Sequence, residues 1–185
     1  ENPTTRTRPG SGSNGDSCRA VQSWPVIKYL GSKRVLLPRI LAEVEGLARE
    51  ADAKGRGIRT VLDLFSGTAR VGHALKACGY RVHANDHNAY AATLATTYVQ
   101  ADRRRWLAPA ERLIAELDAL PGEPGWFTET FCVRSRYLQP ENGARVDAIR
   151  ERIARLALEP ELEAIVLVSL MEAADRVDST TGVQM

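Results

Sequence analysis

Two short polar clusters, each closing an apolar run, carry the residue types best suited to ligand chemistry. The first is "DLFSGTARV", Asp63 to Val71, where an acid precedes a Ser66-Gly67-Thr68 turn. The second is Asn85-Asp86, at the end of "YRVHAND". A glycine in the first cluster lets the backbone bend and lets a ligand come close. A carboxylate at Asp63 is poorly suited to a phosphate and well suited to a cationic group such as an ammonium. An acid about 20 residues after a glycine turn suits the two hydroxyls of a ribose.

Together the clusters ask for a nucleoside-bearing ligand with a positively charged end. S-adenosylmethionine has a ribose, an adenine, an amine and a sulfonium. A nicotinamide dinucleotide fits less well, because only Gly67 and Gly72 are present of the G-x-G-x-x-G pattern.

The elements that must position these residues follow from periodicity. "RTVLDLF" reads as a short strand whose near-continuous apolar run, Val61, Leu62, Leu64 and Phe65, predicts a parallel strand covered on both faces. "SGTARVGHALKACG" reads as a turn and a helix stopped at Gly79, and "YRVHAND" as a second strand. A right-handed crossover makes the two strands parallel neighbours. Ligands in such sheets bind beyond the carboxyl ends of the strands, where Asp63 and Asp86 lie. Ile40, Leu41, Val44, Leu47 and Ala48 predict a helix ahead of the first strand, ended by Gly55 and Gly57.

After the second strand, "HNAYAATLATTYVQADRRRW" predicts one helix, ending in its arginines, and "PAERLIAELDAL" another beginning at Pro109. "PGEPG" reads as a loop, Asn142-Gly143 as a turn, and "RVDAIRERIARLAL" as a helix. "ELEAIVLVSLMEAADRV" carries an apolar core that suits a buried strand or a buried helix, and its length and flanking acids favour the helix. The expected fold class is α/β: a partial Rossmann-like fold of parallel strands and helices, with a helical segment in the second half. Residues 1–21, rich in Gly, Ser, Thr, Asn and Pro, read as a disordered tail. Residues 22–107 form the cofactor-binding part and 108–185 the mainly helical part.

The chain has 185 residues, 44% hydrophobic and 26% charged, which fits a globular protein. It shows neither an apolar run long enough for a membrane helix nor a signal segment, which points to the cytoplasm. A net charge of +2 argues for nucleic acid only through local patches. Cys18, Cys78 and Cys132 lack zinc-site spacing and read as free thiols. His83 and His87 flank an acidic residue, but one strand-to-loop stretch converges poorly, and no metal is expected.

"KYLGSK", Lys28 to Lys33, precedes "DLFSGTARVGHALKACGYRVHANDHN" by about thirty residues. These stretches, with "FCVRSRYLQPENGARVDAIRERI" and "SLMEAADRVDSTTGV", resemble the amino-terminal portion of the D12-class, Dam-like adenine-N6 DNA methyltransferases over residues 24 to 183. The resemblance implies S-adenosylmethionine as cofactor. It places Lys28, Tyr29, Gly31, Ser32 and Lys33 along the methionine end, with the Lys33 ammonium on the cofactor carboxylate. Asp63 would hold the amine above a loop of Phe65, Ser66, Gly67 and Thr68, and Asp86, with Asn85 alongside, would take the ribose.

The resemblance also implies double-stranded DNA as partner. The basic candidates for contacting it are Arg103, Arg104 and Arg105 beside Trp106, and Arg134, Arg136, Tyr137 and Asn142, with Arg145, Arg150 and Arg152 behind them. Solvated cations at a helix C-terminus would account equally well for Arg103 to Arg105. The family holds a flipped adenine with an Asp-Pro-Pro-Tyr element. No two prolines are adjacent here, so the catalytic residues are not assigned. Only two confident strands appear, and a two-stranded sheet is marginal alone. The chain therefore reads as the front half of a site-specific adenine methyltransferase, either a fragment of a longer chain or a split subunit whose second half is a separate polypeptide. It also fits a truncated, non-catalytic relative that binds DNA or a partner, and more weakly a methyltransferase acting on RNA.

Overall fold

The computed structural model describes Lys33 and residues 35–178. A mixed, mostly helical chain surrounds a two-stranded parallel sheet. Helix α1, Leu37–Ala53, begins on Pro38, which suits a first helical turn because the missing N–H has no partner there anyway. It leads into β1, Thr60–Asp63, then α2, Arg70–Ala77, and β2, Arg81–Ala84. The strands are shorter than their apolar runs suggested. Val61 pairs with Val82 and Leu62 with His83 in parallel register.

Alternation along the strands decides what each face meets. Val61 and Val82 pack with Leu41 of α1 and with Val71, Ala74 and Leu75 of α2. The opposite face is open among the described residues. Leu62, Leu64 and Phe65 are 60%, 51% and 73% exposed, so the expected cover on both faces is present on one. The apolar run was a correct strand signal, but hydrophobicity alone does not say where the covering element comes from.

The expected long helix after β2 is three pieces. Helix α3 is Ala89–Ala95, a π-helical turn spans Thr96–Gln100, and α4 is Arg103–Asp118. Asp102 divides them: its backbone is extended and its side chain accepts the Arg104 N–H at 2.8 Å. Arg103 to Arg105 thus begin a helix rather than end one, which removes the helix-end explanation for them. Pro109 lies inside α4, not at its start. The hydrogen bond it forgoes is offset by burial of its neighbours Trp106 and Ala110.

A second π-helical stretch, Thr128–Arg134, precedes α5, Pro140–Arg155, and α6, Pro160–Arg176. Asn142 and Gly143 are helical, not a turn, because α5 starts at Pro140 with Glu141 in its first turn. In α6, Val168 joins Leu94 and Ala69 in one core, while Val166 joins Leu117 and Ile153 in another. Two residues apart on a helix point to nearly opposite sides. A helix buried on two sides needs apolar residues nearly all round, which is why "AIVLVSL" imitates a strand. Cys132 is a free, buried thiol, whereas Cys78 is disulfide-bonded, against the expectation of three free thiols. No described helix is long and apolar enough to cross a membrane.

Candidate functional site

The carboxyl ends of β1 and β2 are tied together by their own polar residues. Asn85 N donates to Asp63 O and Ser66 N donates to Asn85 O, both at 2.9 Å, extending the strand pairing into the turn. The Asn85 amide donates to Leu64 O at 2.9 Å. Asp86 clamps the turn from the other side. One carboxylate oxygen accepts Gly67 N at 2.8 Å and the other accepts Asn88 N at 3.0 Å. These N–H groups of Asn88 and Gly67 hold the Asp86 carboxyl below its usual range. Gly67 has φ +52°, a conformation that favours glycine, and this bends the chain from strand into α2.

Lys33 reaches this end from the chain ahead of α1. Its Nζ donates to Phe65 O at 2.6 Å and lies 3.5 Å from Asp63 Oδ1. Asp63 and Ser66 are buried, and Asp63 Oδ2 and Ser66 Oγ have no hydrogen-bond partner. An unsatisfied buried polar atom costs about 1–3 kcal/mol, and two of them lie here, one at the end of β1 and one in the turn that follows it. Ser66, without Asp63, lines a cleft of about 440 Å³ together with Asn85, Asp86, Ala92, Thr96 and Gln100 among others. That volume is in the range of small-molecule sites.

Lys33, Asp63, Phe65, Ser66, Gly67, Asn85 and Asp86 are joined by these bonds, with Thr68 buried on the same turn. Lys28, Tyr29, Gly31 and Ser32 lie outside the described residues. The second set of candidates does not gather in one place. Arg103 to Arg105 begin α4, with Arg105 bound to Glu159 and over the Trp106 ring. Arg134 is paired with Glu129 at 3.0 Å, Arg136 has φ +57°, and Tyr137 stacks near Phe131. Asn142 is half-buried on the first turn of α5. Arg145 of α5 bonds to Asp118 at the opposite end of α4 from Arg103, about 24 Å along the helix at the usual rise per residue.

Two groupings escaped the sequence reading. Asp147 gathers the start of the second π stretch, accepting N–H bonds from Gly125, Phe127 and Thr128 and the Thr128 hydroxyl. Its separation of 19 to 22 residues from those donors leaves no local signal. Tyr98 donates to Glu172 at 2.6 Å and faces His73, a half-buried trio drawn from three elements. Burial, then the hydrogen bond to Glu172, push the Tyr98 hydroxyl well above its usual range. Burial pushes His73 down, with Lys76 and Arg70 adding to it.

The D12 class N6 adenine-specific DNA methyltransferase family matches residues 29–185. The chain belongs to this family. No curated protein matches it, and no solved structure does. In this D12-class chain the matched span covers every described residue, so the strand-end cluster and both arginine groups fall within it. The family's reaction is methyl transfer to the N6 amine of adenine in DNA. The strand-end cluster contains the buried, unpartnered Asp63 Oδ2 and Ser66 Oγ.

Proposed function

We propose that this chain binds S-adenosylmethionine at the carboxyl ends of β1 and β2, in a Rossmann-like arrangement, for methylation of the N6 amine of adenine in duplex DNA. The reading is carried by the unpartnered Asp63 Oδ2 and Ser66 Oγ, buried where a methyl-donor nucleoside would present its amine. The donor set fits: a buried carboxylate for an ammonium, a lysine for a carboxylate, and a second acid for ribose hydroxyls. The cofactor supplies an electrophilic methyl group on a sulfonium.

This chain's residues bind and orient. Asp63 accepts the amine, and Lys33, now on Asp63 and the Phe65 carbonyl, turns to the cofactor carboxylate. Gly67 keeps the turn clear of bulk. Asp86 holds the turn by its Gly67 bond and offers its remaining lone pairs to the ribose. An enzyme acting on a base takes it out of the stack. The Asp-Pro-Pro-Tyr element that would receive it lies outside these 185 residues, and the open sheet face at Leu62, Leu64 and Phe65 is where the segment carrying it would sit.

Calorimetry with S-adenosylmethionine tests the reading. Binding by the wild-type chain that is lost in Asp63→Ala supports it, as does methylated adenine in duplex DNA once a polypeptide carrying Asp-Pro-Pro-Tyr is added. A well-folded, complete assembly that remains inactive on DNA sinks it. The exposed face favours a second reading, a non-catalytic relative that only docks a partner through Leu62, Leu64 and Phe65. Partner affinity without any cofactor binding would select it.

A further inference from the structure

The first turn of α4 contains arginines and no acid, although the field at a helix N-terminus favours negative charge. Arg105 is neutralised by Glu159. Arg103 and Arg104 have no hydrogen-bond or ion-pair partner for their side chains among the described residues, and they are exposed. Both line a cleft of about 800 Å³ between α2 and α4, together with Lys76 and Trp106. Lys76 also lines a groove of about 690 Å³ with Arg59 and Arg81. Its Nζ donates to Ala101 O at 2.8 Å, which holds the two hollows side by side.

The lining of the two hollows thus contains five cations, Arg59, Lys76, Arg81, Arg103 and Arg104, against one acid, Asp102. Asp102 is occupied in capping α4. Asp52 lies 3.7 Å from Arg59, while Glu159 and Glu161 near the other end are bonded to Arg105 and Gln100. Arg59 and Arg81 mark the amino ends of β1 and β2. The band therefore lies at the end of the sheet opposite Asp63 and Asp86. Like charges gathered on one surface repel, and the repulsion is relieved when a polyanion covers them.

We propose that this band grips the phosphate backbone of duplex DNA, at a place separate from the end where the cofactor and the target adenine meet. The choice of DNA rests on the proposed methyltransferase function; the band itself rests on its charges. A track of guanidiniums recognises phosphates without reading bases. It would hold the enzyme on DNA between target sites, through a part of the duplex away from the base being modified.

A labelled duplex built only from G·C pairs separates the two ends, because it offers no adenine to the substrate site. The variant Arg81→Ser/Arg103→Ser/Arg104→Ser is expected to bind it about tenfold more weakly or worse. It is also expected to lower the slope of log affinity against log salt by about 2.7, about 0.9 for each phosphate no longer neutralised. Replacing Arg39, Arg112 and Arg176 by Ser removes the same charge elsewhere and is expected to change affinity by no more than about twofold. The charge-keeping variant with Lys at 81, 103 and 104 is expected to retain most of the binding, which guards against misfolding of the Ser variant. Equal losses in both Ser triples, or an unchanged slope in the first, overturn the proposal. S-adenosylmethionine binding is the independent readout: if the wild type binds no cofactor yet shows the slope change, the band stands and the cofactor reading falls.

Discussion

Asp63 and Asp147 are both carboxylates set against turns, and their surroundings differ in kind. Asp147 is saturated: Oδ2 accepts from Gly125 N, Thr128 N and the Thr128 hydroxyl, and Oδ1 from Phe127 N. Asp63 is more buried yet has one oxygen with no partner and the other only 3.5 Å from Lys33. A saturated acid contributes to folding, because removing it strands several donors. An acid left wanting costs the fold something, and the cost makes sense where a ligand completes the bonding. The contrast separates an acid whose bonds close within the fold from one whose bonding the described residues leave incomplete.

The comparison is broken first at Asp147. Asp147→Ala is expected to lower the unfolding free energy by about 3 kcal/mol, since hydrogen bonds to a charged group contribute about 1.5–3 kcal/mol each and water recovers part of the loss. Chemical denaturation measures it; a change no larger than that of a surface substitution would show the clamp to be incidental. Next is Gly143→Ala. The added Cβ would collide with Cys132 Sγ and sit 3.1 Å from Thr128 Oγ1, with backbone 3.2 Å away. Crowding of this kind costs about 1–3 kcal/mol, more than the modest gain from alanine in a helix. Cys132→Ala in the same chain should restore part of the loss, which a thermal melt of the double variant checks.

Acid titration gives a smaller effect. Burial would raise the Asp147 carboxyl, but the bonds from Thr128, Phe127 and Gly125 bring it below its usual range. A folded-state value below the unfolded one adds stability that is complete above the unfolded pKa of about 3.9 and is lost as the pH falls through the folded value. Unfolding free energy should therefore decline below about pH 4, and the decline should be shallower in Asp147→Ala. The smallest effect on stability belongs to Asp63→Ala. Removing an acid with an unpartnered oxygen is expected to shift the denaturation midpoint little, while cofactor binding disappears. A large loss of stability would make Asp63 a structural residue and erase the contrast with Asp147.

The strand-end cluster was legible because its signals are local. Asp63, Gly67 and Asn85-Asp86 belong to one strand-turn-helix-strand unit, whose parallel pairing and turn the structure contains. The helix starts were less so. Asp102 is an ordinary N-cap residue, but the continuous run of helix formers around it hid the break, and Pro109 looked like a beginning because prolines usually are. The DNA candidates were named from residue type alone, and type does not say that Arg105 and Arg134 are already paired.

What the order of residues settled is the unit whose bonds close within about twenty positions: a β-turn-α-β end with one acid closing β1 and another just past β2. Short-range contacts need little chain to be ordered before they form, so their pattern survives in the sequence. The Asp147 clamp, the two-sided burial of α6 and the basic band at the amino ends of the strands come from elements far apart in the chain. Only packing brings those together, because a carboxylate or a guanidinium has the same letter whether or not a distant partner has reached it.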